Sequence, residues 1–134
     1  MKPKKILGSN EIETILNRLS FQLIEDHNSF EETVLIGIQP RGAYLSKKIS
    51  KLIDSFDPQN SLKLGFLDIT FFRDDFRRTE KVLKASSTSL EFSIENKIVV
   101  LVDDVLFTGR SIRAALNAIQ SFGRPKAVKL LTLI

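Results

Sequence analysis

The chain has 134 residues, 43% of them hydrophobic and 27% charged, a composition that suits one globular domain with a single core and excludes a disordered chain. No stretch approaches the ~20 consecutive apolar residues of a membrane span, and the absence of cysteine excludes disulfides and thiolate metal centres. A net charge of +4 is a mild excess, compatible with phosphate-bearing ligands and too small to demand nucleic acid.

The basic start, Met1 to Lys5, is followed by the polar Ser9-Asn10-Glu11 rather than an apolar signal core, so a cytoplasmic protein is expected. No repeat, linker or low-complexity tract divides the chain, which predicts one domain over residues 1–134. Asn10 and Glu13 have the spacing of a capping box, and Ile12, Ile15, Leu16, Leu19 and Leu23 recur at helical spacing to about Ile24. His27 follows in a polar run, without a second histidine or a cysteine to share a metal, and reads as a plain loop residue. Val34 to Ile38 is a short apolar strand. Gln39, Pro40, Arg41 and Gly42 then form a sharp turn at its carboxyl end, which could be an ordinary strand-to-helix connection or part of a ligand site. The next helix runs from Ala43 to about Phe56, with Leu45, Ile49, Leu52 and Ile53 inward and Lys47, Lys48 and Lys51 outside.

Leu62 to Phe72 reads as a strand, and the charged, then Ser/Thr-rich stretch from Arg73 to Ser89 as a long mobile loop. That loop could be a lid over a site, or a solvated hairpin joining Leu64–Phe72 to an antiparallel Leu90–Phe92; the two readings are compatible. Ile98 to Val102 is a buried strand too short for a helix, and it runs into Asp103 and Asp104. Two carboxylates at a strand mouth are costly to bury and must meet water, a cation or a ligand hydroxyl. Thr108, Gly109, Arg110 and Ser111 supply a turn at a helix N-terminus, a ready anion site. A helix from about Ser111 to Phe122 follows, with Ile112, Ala115, Leu116 and Ile119 inward, Gly123 as its C-cap and a closing strand from Ala127 to Ile134. No acidic residue follows Asp104, while Arg110, Arg113, Arg124, Lys126 and Lys129 do, either as a solvated basic face or as a surface for phosphate or RNA.

Strands alternating with helices predict an α/β fold with a mostly parallel sheet flanked by helices and its site at the strands' carboxyl ends. Acid pair and anion cradle side by side suit a ligand with hydroxyls or a metal at one end and phosphate at the other, as in a diphosphorylated, metal-bound sugar. A P-loop nucleotidase is the weaker candidate, since no G-x-x-x-x-G-K-[ST] is present.

The stretch Val99 to Ser111, VVLVDDVLFTGRS, resembles the phosphoribosyl pyrophosphate (PRPP) motif of type I phosphoribosyltransferases. Within that superfamily the order IGIQPRGAYLSKKI, LDITFFRDDF, VDDVLFTGRSIRAALNAI and FGRPKAVKLLTLI is most similar to the PyrR family, from about Ile36 to Ile134. The resemblance implies a Mg²⁺-dependent transfer of the phosphoribosyl group from PRPP to a nucleobase, uracil, and alternatively a nucleotide-sensing regulator that binds pyrimidine-leader RNA. It also implies a homo-oligomer, a dimer or larger, and a flexible loop over the site. By position it assigns the ribose hydroxyls to Asp103 and Asp104, the 5′-phosphate to Leu106, Phe107, Thr108, Gly109, Arg110 and Ser111, and the pyrophosphate to Gln39, Pro40, Arg41 and Gly42. Magnesium would be held mainly through ligand oxygens. The catalytic loop would begin near Arg73, Asp74 and Asp75, with Arg73 and Asp74 joining the two site acids as catalytic residues. Two departures stand out. Pro40 occupies a position where the family usually has Thr, and family members continue past the equivalent of Ile134 into a segment that helps to read the base, so base identity rests on the resemblance alone.

Overall fold

The computed structural model describes residues 7–27, 29–69, 90–106 and 109–134. In chain order the elements are α1 (Ser9–His27), β1 (Thr33–Ile38), α2 (Arg41–Phe56), β2 (Lys63–Leu67), β3 (Ile98–Asp103), α3 (Arg110–Ile119) and β4 (Ala127–Thr132). The four strands form one sheet in the order β2-β1-β3-β4, every pairing parallel. Among the described residues no helix is long and apolar enough to cross a membrane.

β1 and β3 are the inner strands and are covered on both faces, which is why TVLIGI and IVVLVD read as apolar runs without polar alternation. Successive side chains divide between the two layers. Val34, Ile36, Ile38, Val99 and Leu101 meet α3 and the buried Leu67, Ile69 and Ile94, while Leu35, Val100 and Val102 meet α1 and α2. The helix between β1 and β2 and the one between β3 and β4 make the crossovers that parallel strands require.

The periodicity of α2 holds: Leu45, Ile49 and Ile53 are buried, with the lysines on the opposite side of the helix. α1 starts at Ser9, with Gly8 as its cap: the Glu11 carboxylate accepts the Gly8 N–H at 2.7 Å, so the reciprocal bond expected between Asn10 and Glu13 lies two residues earlier. α1 also runs on to His27, which is its last residue and not a loop residue. The His27 Nδ1 lies 3.2 Å from the Thr33 hydroxyl, tying the helix end to the start of β1, and burial together with the Lys129 charge lowers its pKa.

α3 turns Ile112, Ala115 and Ile119 inward as expected, and only Leu116 departs from the expected inner stripe. Ala114, Ala115, Ala118 and Ile119 are buried, whereas Leu116 is 40% exposed. Three alanines in the contact let the helix approach the sheet closely, and backbone proximity here outweighs side-chain size. α3 ends at Ile119 with Gln120 as C-cap, and two further turn bonds lead to Gly123, which has a positive φ but is not the cap.

The strand expected over Leu62–Phe72 is β2, Lys63–Leu67. Its last pair is Ile38 with Leu67, and the Gln39 N–H closes the ladder on the Leu67 carbonyl at 2.9 Å before the chain turns at Pro40 into α2. β2 pairs in parallel, and Leu90–Phe92 is not a strand, so the hairpin reading is corrected. Leu90 and Phe92 instead pack on the core beneath α3. The expected lid, Arg73 to Ser89, lies outside the described residues, and the closing strand ends at Thr132 rather than Ile134.

Candidate active site

Register brings the carboxyl ends of the strands together. Gly37 pairs with Val102 and Ile38 with Leu67, so Gln39, Asp68 and the acid pair leave the sheet at one level, with Thr132 opposite Asp103 on the other side.

Arg41 is the first residue of α2, after a cis Gln39–Pro40 peptide, and the first intrahelical bond runs from the Tyr44 N–H to the Pro40 carbonyl at 3.3 Å. The N–H groups of residues 41–43 therefore have no intrahelical acceptor and face the strand ends, where the helix dipole favours negative charge. Gly42 holds this helix start in place. A Cβ there would strike the Val102 carbonyl oxygen and come within 3.2 Å of the Asp103 Cα, so α2 rests its backbone directly on the end of β3. One consequence is that the Arg41 Nη1 donates to the Asp104 Oδ2 at 3.3 Å, an ion pair between two turns 63 residues apart in sequence.

The two carboxylates differ. Asp103 is the last residue of β3, and its Oδ1 accepts the Asp104 N–H at 2.9 Å. Burial raises its pKa, and the Asp104 side chain adds to the rise, while that backbone N–H and the Arg41 charge oppose it. Asp104 faces the cleft with its side chain 25% exposed, against 77% for Arg41. The Asp104 carbonyl accepts the N–H groups of Leu133 and Ile134 at 3.2 Å each, and the Leu106 N–H donates to the Ile134 carbonyl at 3.0 Å. The segment after β4 thus fastens the turn 104–106. Sequence reasoning misses this fastening because backbone bonds leave no side-chain signature.

Gly109 caps α3 with φ +85°, in the left-handed region, and a Cβ placed there would meet nothing within 4 Å. The helix N-terminus beneath it opens onto the same end of the sheet as Asp104, with Arg110 and Ser111 as its first residues. Substituting Gly109 by Ala is expected to cost about 1–2 kcal/mol through the backbone alone, and Asn, which tolerates this conformation, less. Denaturant midpoints of the two variants check this.

The structure therefore brings together Gln39, Pro40, Arg41, Gly42, Asp103, Asp104, Leu106, Gly109, Arg110 and Ser111. Arg73, Asp74, Phe107 and Thr108 lie outside the described residues. Among the described residues no group of three or more His, Asp or Glu side chains forms a metal-ligand set. The acid pair offers hard oxygen donors, one engaged by Arg41 and one by a backbone N–H. That suits a magnesium ion held chiefly by oxygens of a bound ligand and by water.

The phosphoribosyl transferase domain family matches residues 4–134. The Bifunctional protein PyrR of Caldicellulosiruptor bescii is 44% identical over 133 residues, covering 99% of this chain and 72% of that protein. The chain belongs to the PyrR family of type I phosphoribosyltransferases. The Bifunctional protein PyrR of Synechocystis sp. is 42% identical over 130 residues, 97% of this chain and 72% of its own. Among solved structures, the hypoxanthine phosphoribosyltransferase of Staphylococcus aureus superposes with a TM-score of 0.70 at 24% identity, a likeness of fold alone, over 96% of this chain and 65% of that protein. The four-stranded parallel sheet with its flanking helices is the type I phosphoribosyltransferase fold.

Proposed function

We propose that the chain catalyses transfer of the 5-phosphoribosyl group from PRPP to uracil, giving UMP and pyrophosphate with Mg²⁺, in the cytoplasm. The observation that carries this reading is the Arg41–Asp104 contact, which sets a cation at a helix N-terminus 3.3 Å from the acid pair. In the liganded site Arg41 turns to the pyrophosphate, together with the backbone of Gln39 to Gly42, and Asp103 and Asp104 accept the two ribose hydroxyls. An exposed ion pair is worth about 0.2–1 kcal/mol, so this exchange costs little. The α3 N-terminus with Leu106, Phe107, Thr108, Gly109, Arg110 and Ser111 takes the 5′-phosphate. Magnesium, when bound, neutralises charge on the pyrophosphate.

The bond from a nitrogen of the base to the anomeric carbon forms as the bond from that carbon to the pyrophosphate oxygen breaks, and the N–H proton of the base is lost. Carboxylates at the ribose hydroxyls hold the ring in position and face the positive charge that develops on it. Arg73 and Asp74 belong in this reading to the loop that excludes water from that cation. Uracil is the base that membership of the PyrR family suggests.

Incubation with PRPP, Mg²⁺ and each of uracil, hypoxanthine, guanine, adenine and orotate tests the reaction and the base together. UMP and pyrophosphate are expected from uracil. A nucleotide from another base alone would overturn the specificity, and no product from any would overturn the activity.

The word "bifunctional" in the relatives' names keeps a second reading, binding of pyrimidine-leader RNA. The cations after Asp104 are spread through the fold: Arg110 and Arg113 sit at the start of α3, Arg124 and Lys126 beyond its end, and Lys129 on the edge strand β4. The RNA reading requires affinity that falls steeply as salt rises, and binding that is absent or insensitive to salt removes it.

A further inference from the structure

The chain has a single histidine, and it closes a corner of the fold. His27 ends α1, and its Nδ1 lies 3.2 Å from the hydroxyl of Thr33, the buried first residue of β1. The ring is tilted against Phe30, with centroids 5.8 Å apart. Its other nitrogen, Nε2, is enclosed by the protein and meets no hydrogen-bond partner among the described residues. Beside the ring is a cavity of about 250 Å³ between α1 and the edge strand β4, whose walls include Gln22, Leu23, Asp26 and His27 on one side and Lys129 and Leu131 on the other.

A neutral imidazole suits this corner, with one nitrogen on Thr33 and no charge to solvate at the other. An imidazolium does not. It carries an N–H on both nitrogens, so the enclosed Nε2 would become a charged donor without an acceptor. Burial and the Lys129 ammonium both oppose protonation, while Asp26 favours it. Asp26 from α1 and Lys129 from β4 are the charges that face the ring. Glu31 and Glu32 in the following turn are exposed, β1 offers only the Thr33 hydroxyl, and β3 only the apolar Val100. Outside the corner the preference reverses, because an imidazolium in water at the end of α1 meets the negative end of the helix dipole and the Asp26 carboxylate.

We propose that His27 is a proton-operated latch: neutral, it holds the end of α1 on the start of β1, and on protonation it leaves the corner and frees the last turn of α1 beside the cavity. Because the latched ring takes a proton less readily than a released one, closure is complete above about pH 6.5 and is lost as pH falls below that value. The latch sits at the amino ends of the strands, where Thr33 pairs with Ile98, and the acid pair sits at the carboxyl ends. It therefore governs α1 and not the strand-end cleft.

Nuclear magnetic resonance of the full chain tests the proposal directly, since one histidine gives one imidazole signal. Its titration midpoint is expected below 6.5, and the backbone amides of residues 24–27 and 29–33 are expected to shift with the same midpoint. Hydrogen-exchange protection of the last turn of α1 should fall by up to about tenfold per pH unit in that range, as linkage to one proton requires. His27→Asn keeps an amide that can bond Thr33 and cannot become charged, so its protection is expected to be independent of pH there. Lys129→Gln, at an exposed position, removes the facing cation and is expected to raise the midpoint of the ring. A midpoint at or above 6.5, a ring that titrates while these amides stand still, or a His27→Asn chain with the acid response of the native one would overturn the latch.

Discussion

Asp104→Asn is expected to lower kcat/KM for PRPP by about 5- to 10-fold, and Asp103→Asn by a similar factor, with the fold intact. Each change replaces a carboxylate acceptor by a neutral amide. A hydrogen bond to a charged group contributes about 1.5–3 kcal/mol, against 0.5–1.5 kcal/mol for a neutral one. Loss of the Asp104–Arg41 ion pair is a smaller effect, since that pair is exposed on the arginine side. The two variants part company in stability. Asp103 is half-buried and its pKa is raised chiefly by that burial, so the folded protein binds its proton more tightly than the unfolded chain does. Stability from this group is therefore fully present below the unfolded pKa and is lost as pH rises through the folded one. Asp103→Asn removes that penalty while its amide oxygen still accepts the Asp104 N–H. Its melting temperature should exceed that of the native chain at neutral pH, and the difference should vanish below about pH 3.8. A less active, more stable protein is the signature of a charge kept for its ligand. Native turnover in both variants would remove the ribose from these carboxylates.

The features that were legible in the sequence are those set by local pattern. The uninterrupted apolar runs of β1 and β3 and the lysine-faced α2 stand where residue spacing puts them, although α2 already starts at Arg41 rather than Ala43, so the turn after β1 is confined to Gln39 and Pro40. The acid pair also leaves the sheet where a buried strand ends. What escaped is set by contacts between distant segments. The end of β2 depends on where its neighbour turns, not on the alternation of Asp68 and Thr70 with Ile69 and Phe71. The inner face of α3 depends on how closely alanines let it approach the sheet, so Leu116 points outward although its apolarity argues the reverse. His27 looks like a loop residue until Thr33 closes on it. The Arg41–Asp104 pair spans 63 residues and follows from strand register, which no window of sequence contains.

Gly42→Ala is expected to damage stability and PRPP binding together. At an ordinary position within a helix this substitution gains about 0.5–1 kcal/mol, because alanine loses less backbone entropy on folding. Here the added methyl falls on the Val102 carbonyl oxygen, and the obstacle is backbone of an inner strand paired on both sides, which cannot rotate away as a side chain can. α2 must lift from β3, and overpacking of this kind costs about 1–3 kcal/mol, which outweighs the helix-propensity gain. The movement also carries Arg41 and the α2 N-terminus away from Asp104, so KM for PRPP rises by more than the fraction of protein unfolded explains. Ser55→Ala, exposed on the last turn of the same helix, is the control that leaves both quantities at their native values. Denaturant midpoints and PRPP saturation curves measured on the two variants separate the cases. A Gly42→Ala chain with native stability would show that the contact between α2 and β3 is slack. Lowered stability with a native KM would show that the α2 start does not hold the pyrophosphate.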